Sequence, residues 1–109
     1  MVGSAPKALA QRVIRDVVFR PQAEVELLDV HRWYEERREG LGDEFSEEIH
    51  RMVARIAAHP SEFQHVRGAT RRAVLSRFPY AIYFRETATE IIVLAIYGRQ
   101  DPLRWQTRS

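Results

Sequence analysis

The chain has 109 residues, enough for one domain with one modest core. Its apolar content of 45% favours a globular fold over disorder, no apolar run approaches the ~18–20 residues of a bilayer span, and residues 1–11 lack the hydrophobic stretch of a signal peptide. Formal net charge is +2, and the absence of cysteine excludes a disulfide framework and thiolate metal sites, as expected of a cytoplasmic protein.

Residues 1–12 are weakly patterned and are expected to be an arm, disordered in part, ahead of a single domain over 13–109. Residues 13–19, β-branched and closed by Pro21, predict a first strand. Pro21 then suits the opening turn of a helix, where its missing N–H costs nothing. Ala23, Leu27, Val30 and Tyr34 recur at helical spacing, while Glu24, Glu26, Asp29, Arg32, Glu35 and Arg38 occupy the other faces. Gly40-Leu41-Gly42 is expected to break that helix, and Asp43 and Glu44 favour the start of a second one. Leu41, Phe45, Ile49, Met52 and Ile56 form its apolar stripe, which His59-Pro60 ends. A connection this short makes the pair an αα-hairpin.

After a loop containing Gly68 the period changes. Residues 71–77 alternate loosely and predict a strand. Beyond a break at Phe78-Pro79, Tyr80, Ile82 and Phe84 alternate with Ala81, Tyr83 and Arg85, the pattern of a half-buried strand. Residues 91–97 are an almost unbroken apolar run, as expected of a central strand covered on both faces, and Gly98 ends it. The predicted class is α+β with order β-α-α-β-β-β, the αα-hairpin packed on a small antiparallel sheet.

Charge is unevenly spread. From Val66 onward the bases are Arg67, Arg71, Arg72, Arg77, Arg85, Arg99, Arg104 and Arg108, against the acids Glu86, Glu90 and Asp101. A basic surface fits an anionic partner, nucleic acid or an acidic protein segment, and equally a solvated arginine-rich sheet edge. His31 and Glu35 stand four apart on one helix, a spacing a metal can bridge. There is no HExxH and no third ligand at a motif spacing, so a surface pair is expected and no metal. His50, His59 and His65 form no triad with Ser46 or Ser61, and no glycine-rich phosphate loop is present. No cofactor is expected.

Four segments carry a resemblance: RRAVLSRFPYAIYFR (71–85), IIVLAIYGRQDPLRW (91–105), FRPQAEVELLDVHRWYEERREGLGDEF (19–45) and the IAAHP that closes the second helix. In order and spacing they resemble the RelE/ParE superfamily of type II toxin–antitoxin systems, ParE more than RelE, over roughly residues 17–108. Many members carry a histidine just after the last strand; here Tyr97 runs directly into Gly98-Arg99. Any role of that histidine does not carry over.

The resemblance implies a toxin neutralised by a cognate antitoxin, a small protein with a DNA-binding N-terminal part, in a toxin–antitoxin hetero-oligomer with no membrane role. ParE-like members inhibit DNA gyrase, whereas RelE-like members cut mRNA on the ribosome. Cleavage by 2′-OH attack needs an activated nucleophile and a neutralised phosphate. The only lysine is Lys7, so a nuclease here would rest on Arg71, Arg72, Arg77, Arg85 and Tyr97. Arginine clamps phosphate well but is a poor general base. Gyrase inhibition is therefore the first expectation. The alternatives are a ribosome-dependent endoribonuclease and a non-toxic member that only binds its partner.

Under the first expectation, Arg99, Asp101, Arg104 and Trp105 contact the target, unless Trp105 folds back to close the core. Antitoxin binding is expected at the apolar helix flank Val25, Leu28 and Trp33 and at the sheet arginines Arg77 and Arg85.

Overall fold

The computed structural model describes residues 14–98. In chain order these form β1 (Asp16–Phe19), α1 (Pro21–Arg37), α2 (Leu41–Ala58), a 3-10 turn (Pro60–Glu62), β2 (His65–Arg67), β3 (Thr70–Val74), β4 (Tyr80–Glu86) and β5 (Glu90–Gly98). The sheet order is β1-β5-β4-β3-β2. Strands β2 to β5 are an antiparallel meander, and β1 joins its β5 edge in parallel, Val17 opposite Ile91 and Phe19 opposite Val93. The sheet is thus mixed, with the αα-hairpin on one face.

Several boundaries differ from the sequence reading: β1 begins at Asp16, β3 ends at Val74 short of Arg77, and two connections differ in kind. The connection around Gly68 is a tight turn between β2 and β3, with Gly68 at φ +54°, where a residue lacking Cβ is at ease. Strand β2 has three residues and one half-buried side chain, Val66, too short for alternation to register. The break between the helices lies at 38–40. Gly40, at φ +87°, is the N-cap of α2, and Gly42 is already helical.

The core between helices and sheet holds Ala23 of α1, Phe45, Ile49, Val53 and Ile56 of α2, and Ala73, Ile82, Phe84, Ile91, Val93 and Ile96 of the strands. Tyr34, Phe45, Phe78 and Tyr80 close one end of it, ring edges against ring faces, with Tyr34–Phe78 centroids 4.9 Å apart. Burial here pushes the Tyr34 phenol above its usual pKa, helped by neighbouring Tyr80. Strand β4 was expected to be half-buried. Instead Ala81, Ile82, Tyr83 and Phe84 are all buried, and Ala81, Tyr83, Ala95 and Tyr97 form a second cluster on the sheet face away from the helices.

Strand β5 carries one extra residue against β4: Tyr83 pairs with Ala95 and Phe84 with Val93, leaving Leu94 between them. Such a bulge resets the alternation, so Val93 and Ile96 both face the helices. The N–H of Ile96 donates to Glu26 Oε1 on α1 at 2.9 Å.

Candidate functional site

Helix α1 is two-faced, and its outer face is the candidate partner surface. Ala23 and Glu26 are buried against the sheet, and Leu27, Val30 and Tyr34 pack beside them. On the outer side Val25, Leu28 (61% exposed) and Trp33 (48%) stand in solvent; Val18 of β1, also exposed, lies on the sheet face away from the helices, because its neighbours Val17 and Phe19 pack against the core. An exposed apolar side chain standing singly is ordinary; three large ones along one helix are the mark of a docking surface. Trp33 is held in place rather than swinging free. The Arg37 guanidinium carbon lies 3.4 Å from its ring centroid, and Tyr34 meets it edge-on at 5.1 Å. An aromatic anchor already fixed in its rotamer loses little entropy when a partner covers it.

Arg77 and Arg85 do not join this stripe. Arg77 lies beyond the end of β3, with its Nη2 2.7 Å from Glu44 Oε1 on α2. That hydrogen bond holds the Glu44 carboxyl below its usual range, with Arg38 adding to it, and raises Arg77 in turn. Arg85 is half-buried on β4 opposite Ile92, and its Nε is buried with no acceptor among the described residues.

The residues named for a nuclease are brought together only in part. Cross-strand partners share a sheet face. Arg71 pairs with Phe84 and so faces the helices, where it donates to the Phe63 carbonyl and lies 3.6 Å from Glu86. Arg72 pairs with Tyr83 on the opposite face, the face of Tyr97. Tyr97 is 3% exposed, its ring 6.2 Å from that of Tyr83. Arg77 is tied to α2, away from both. Arg99, Asp101, Arg104 and Trp105 lie outside the described residues, as does the arm 1–12.

Three helix glutamates are structural ties, and two of them, Glu26 and Glu35, stand among the residues assigned above to the polar faces of α1. Glu26 holds Ile96, as above. Glu48 is buried, and its Oε2 accepts the backbone N–H of Ser76 at 2.8 Å, the Ser76 hydroxyl at 3.0 Å and the N–H of Arg77 at 3.3 Å. Burial pushes the Glu48 carboxyl upward, but these donors outweigh it and hold it below its usual value. Glu48 lines a shallow cavity of about 220 Å³ with Arg51, Met52, Arg55, Ser76 and Arg77. Glu35 accepts the N–H of Gly40 at 2.7 Å and of Gly42 at 2.9 Å, which closes the turn between the helices. The available signal for Glu26 was its position one turn after Ala23 and beside Leu27, on the buried stripe rather than opposite it.

Two comparisons bear on identity. Residues 17–102 match the family model described as ParE toxin of type II toxin-antitoxin system, parDE. The fold is similar to that of a chain from the chromosomal ParDE toxin–antitoxin system of P. aeruginosa, with TM-score 0.69 and 17% identity over 78% of this chain and 96% of that one. A search of curated protein sequences returned no match. No described helix is long and apolar enough to cross a membrane.

Proposed function

The chain belongs to the ParE toxin family of type II toxin–antitoxin systems, and on that premise we propose that it is a cytoplasmic toxin that inhibits DNA gyrase until a cognate antitoxin covers it. The observation that carries the antitoxin half is the outer face of α1. Val25, Leu28 and Trp33 leave large apolar area in water on a helix whose other face is fully engaged. A partner segment with an apolar stripe of its own would cover that area, as helix-in-groove and helix-on-helix recognition do. The charge on α1 is mixed, Glu24, Asp29 and Glu36 beside Arg32 and Arg37, so rim ion pairs would set register more than affinity.

The gyrase half rests on the family and on the scatter of the nuclease candidates. In-line phosphoryl transfer needs its groups within a few ångströms of one phosphate. Arg71 and Arg77 are committed elsewhere, and Tyr97 is buried. Arg72, Arg85 and Tyr97 do share the sheet face away from the helices, so it is the family that favours binding by a surface over cleavage. Under this reading Arg99, Asp101, Arg104 and Trp105, which continue directly from β5, contact the target.

Expression without antitoxin tests whether the chain is toxic at all. Growth arrest with induction of the DNA-damage response supports gyrase poisoning. Normal growth with folded, soluble protein would replace it with a partner-binding role alone.

A further inference from the structure

We propose that His31, Glu35 and Asp43 form a binding site for a borderline divalent transition-metal cation, of the zinc, nickel or cobalt class, at the closed end of the αα-hairpin. Spacing in the sequence offers only the His31–Glu35 pair, one turn apart on α1. The fold supplies the third donor from the first turn of α2, twelve residues after His31.

The geometry is close to that of a site. One donor atom from each of the three residues lies within 4.8 Å of the others. His31 Nε2 and Asp43 Oδ1 are 3.0 Å apart. Adjacent ligands of a six-coordinate ion with bonds of about 2.1 Å are themselves about 3.0 Å apart, so the pair already stands at that separation, and a turn of the ring and the carboxylate out of their direct hydrogen bond aims both at one cation. Glu35 needs a small rotation. Its carboxylate is aimed by the N–H groups of Gly40 and Gly42, and each oxygen keeps a lone pair for an ion. Donors that orient a ligating carboxylate in this way are what outer-shell partners supply at metal sites.

Gly42 makes the approach of the helices possible. A Cβ there would stand 2.4 Å from the His31 carbonyl oxygen and 2.8 Å from Glu35 Oε1, so only glycine lets the first turn of α2 come this near. Gly42 thereby delivers Asp43 to His31. One imidazole and two carboxylates suit zinc, nickel or cobalt better than calcium or magnesium, which favour all-oxygen shells. Asp43 is mostly exposed, so water completes the coordination and exchange with solvent is open. A bound cation would cross-link α1 to α2 and stabilise the folded hairpin by mass action. This site is independent of the gyrase proposal.

The test uses the untagged, full-length protein stripped of metal. Zinc is titrated by calorimetry, and cobalt is followed by its visible absorption. One saturable site, a rise in Tm with zinc and a weak visible cobalt d–d band that is lost in His31→Ala are expected. His31→Ala and Asp43→Asn should each weaken binding at least about tenfold. His50→Ala, on the exposed side of α2, should leave it unchanged. Absence of saturable binding at millimolar metal overturns the proposal. So does binding that survives both His31→Ala and Asp43→Asn, because the ion then sits on other histidines and the His31–Asp43 contact is an ion pair only.

Discussion

The carboxylate of Glu26, 6% exposed on α1, accepts the backbone N–H of Ile96 on β5 across 70 residues of sequence. It joins the hairpin to the strand that lies between β1 and β4, two residues beyond the extra residue of its bulge. Replacing it with alanine leaves a buried N–H without this acceptor, a loss of about 1–3 kcal/mol. Glu26→Ala should lower the urea midpoint by that loss divided by the m-value, and Glu26→Gln, which keeps an acceptor oxygen, should lose less. Equal midpoints for Glu26→Ala and the parent protein would remove this tie from the account.

The two glycines of the hairpin turn fail differently when changed. At Gly40 a side chain meets open space, and only the positive φ resists it, at about 1–2 kcal/mol. At Gly42 the added methyl meets the backbone of α1, so the helices must separate. Gly42→Ala is therefore expected to cost more than Gly40→Ala, and to loosen the Glu35 bonds to both N–H groups. Thermal unfolding of the two variants gives the order directly.

Acid should weaken the attachment of the β3–β4 turn. The carboxyls of Glu48 and Glu44 are held below their usual range in the folded chain, Glu48 by the Ser76 and Arg77 donors against the cost of burial and Glu44 by Arg77. A carboxyl whose folded pKa is depressed contributes stability that is fully present above its unfolded value of about 4.3. That stability is lost as pH falls through the lower folded value. Urea midpoints measured from pH 7 to pH 3 should fall along this limb, and Glu48→Gln should flatten it while lowering the neutral plateau.

The outer face of α1 gives the sharpest binding prediction. Leu28→Glu changes a side chain in solvent, so far-UV circular dichroism and Tm should stay near those of the parent; Trp33→Ala also loses the edge-on contact with Tyr34, so it should keep the fold with a small fall in Tm. Affinity for the antitoxin should fall by tenfold or more in each, which is about 1.4 kcal/mol or above. Calorimetry with both affinities unchanged would move the antitoxin to another surface.

Much of this fold is written in periodicity. Ala23, Leu27 and Val30, then Phe45, Ile49 and Ile56, mark two helices at their true faces, and the run 91–97 marks the inner strand β5. What periodicity misses is short or non-local. Strand β2 has too few residues to alternate, and the extra residue Leu94 shifts the pattern it belongs to. The parallel pairing of β1 with β5 joins segments more than 70 residues apart and leaves no local trace. Polar residues misled most: Glu26 and Glu48 look solvated by composition, and only their place on the buried stripes tells otherwise. Of the candidate site, the exposure of Val25 and Leu28 was legible because those positions fall opposite the core stripe, whereas Trp33 sits on its flank, seven residues after Glu26. The separation of Arg71 from Arg72 follows from strand alternation, but the commitment of Arg77 to Glu44 does not, because that pairing depends on how α2 lies against the β3–β4 turn.

The most direct measurement is DNA supercoiling by gyrase in the presence of the purified toxin, run beside ribosome-dependent cleavage of an mRNA with the same preparation. The account predicts that supercoiling is inhibited, that added antitoxin restores it, and that the mRNA stays intact. Cleaved mRNA with unimpeded supercoiling would contradict it and return Arg71, Arg72, Arg77, Arg85 and Tyr97 to the position of catalytic candidates.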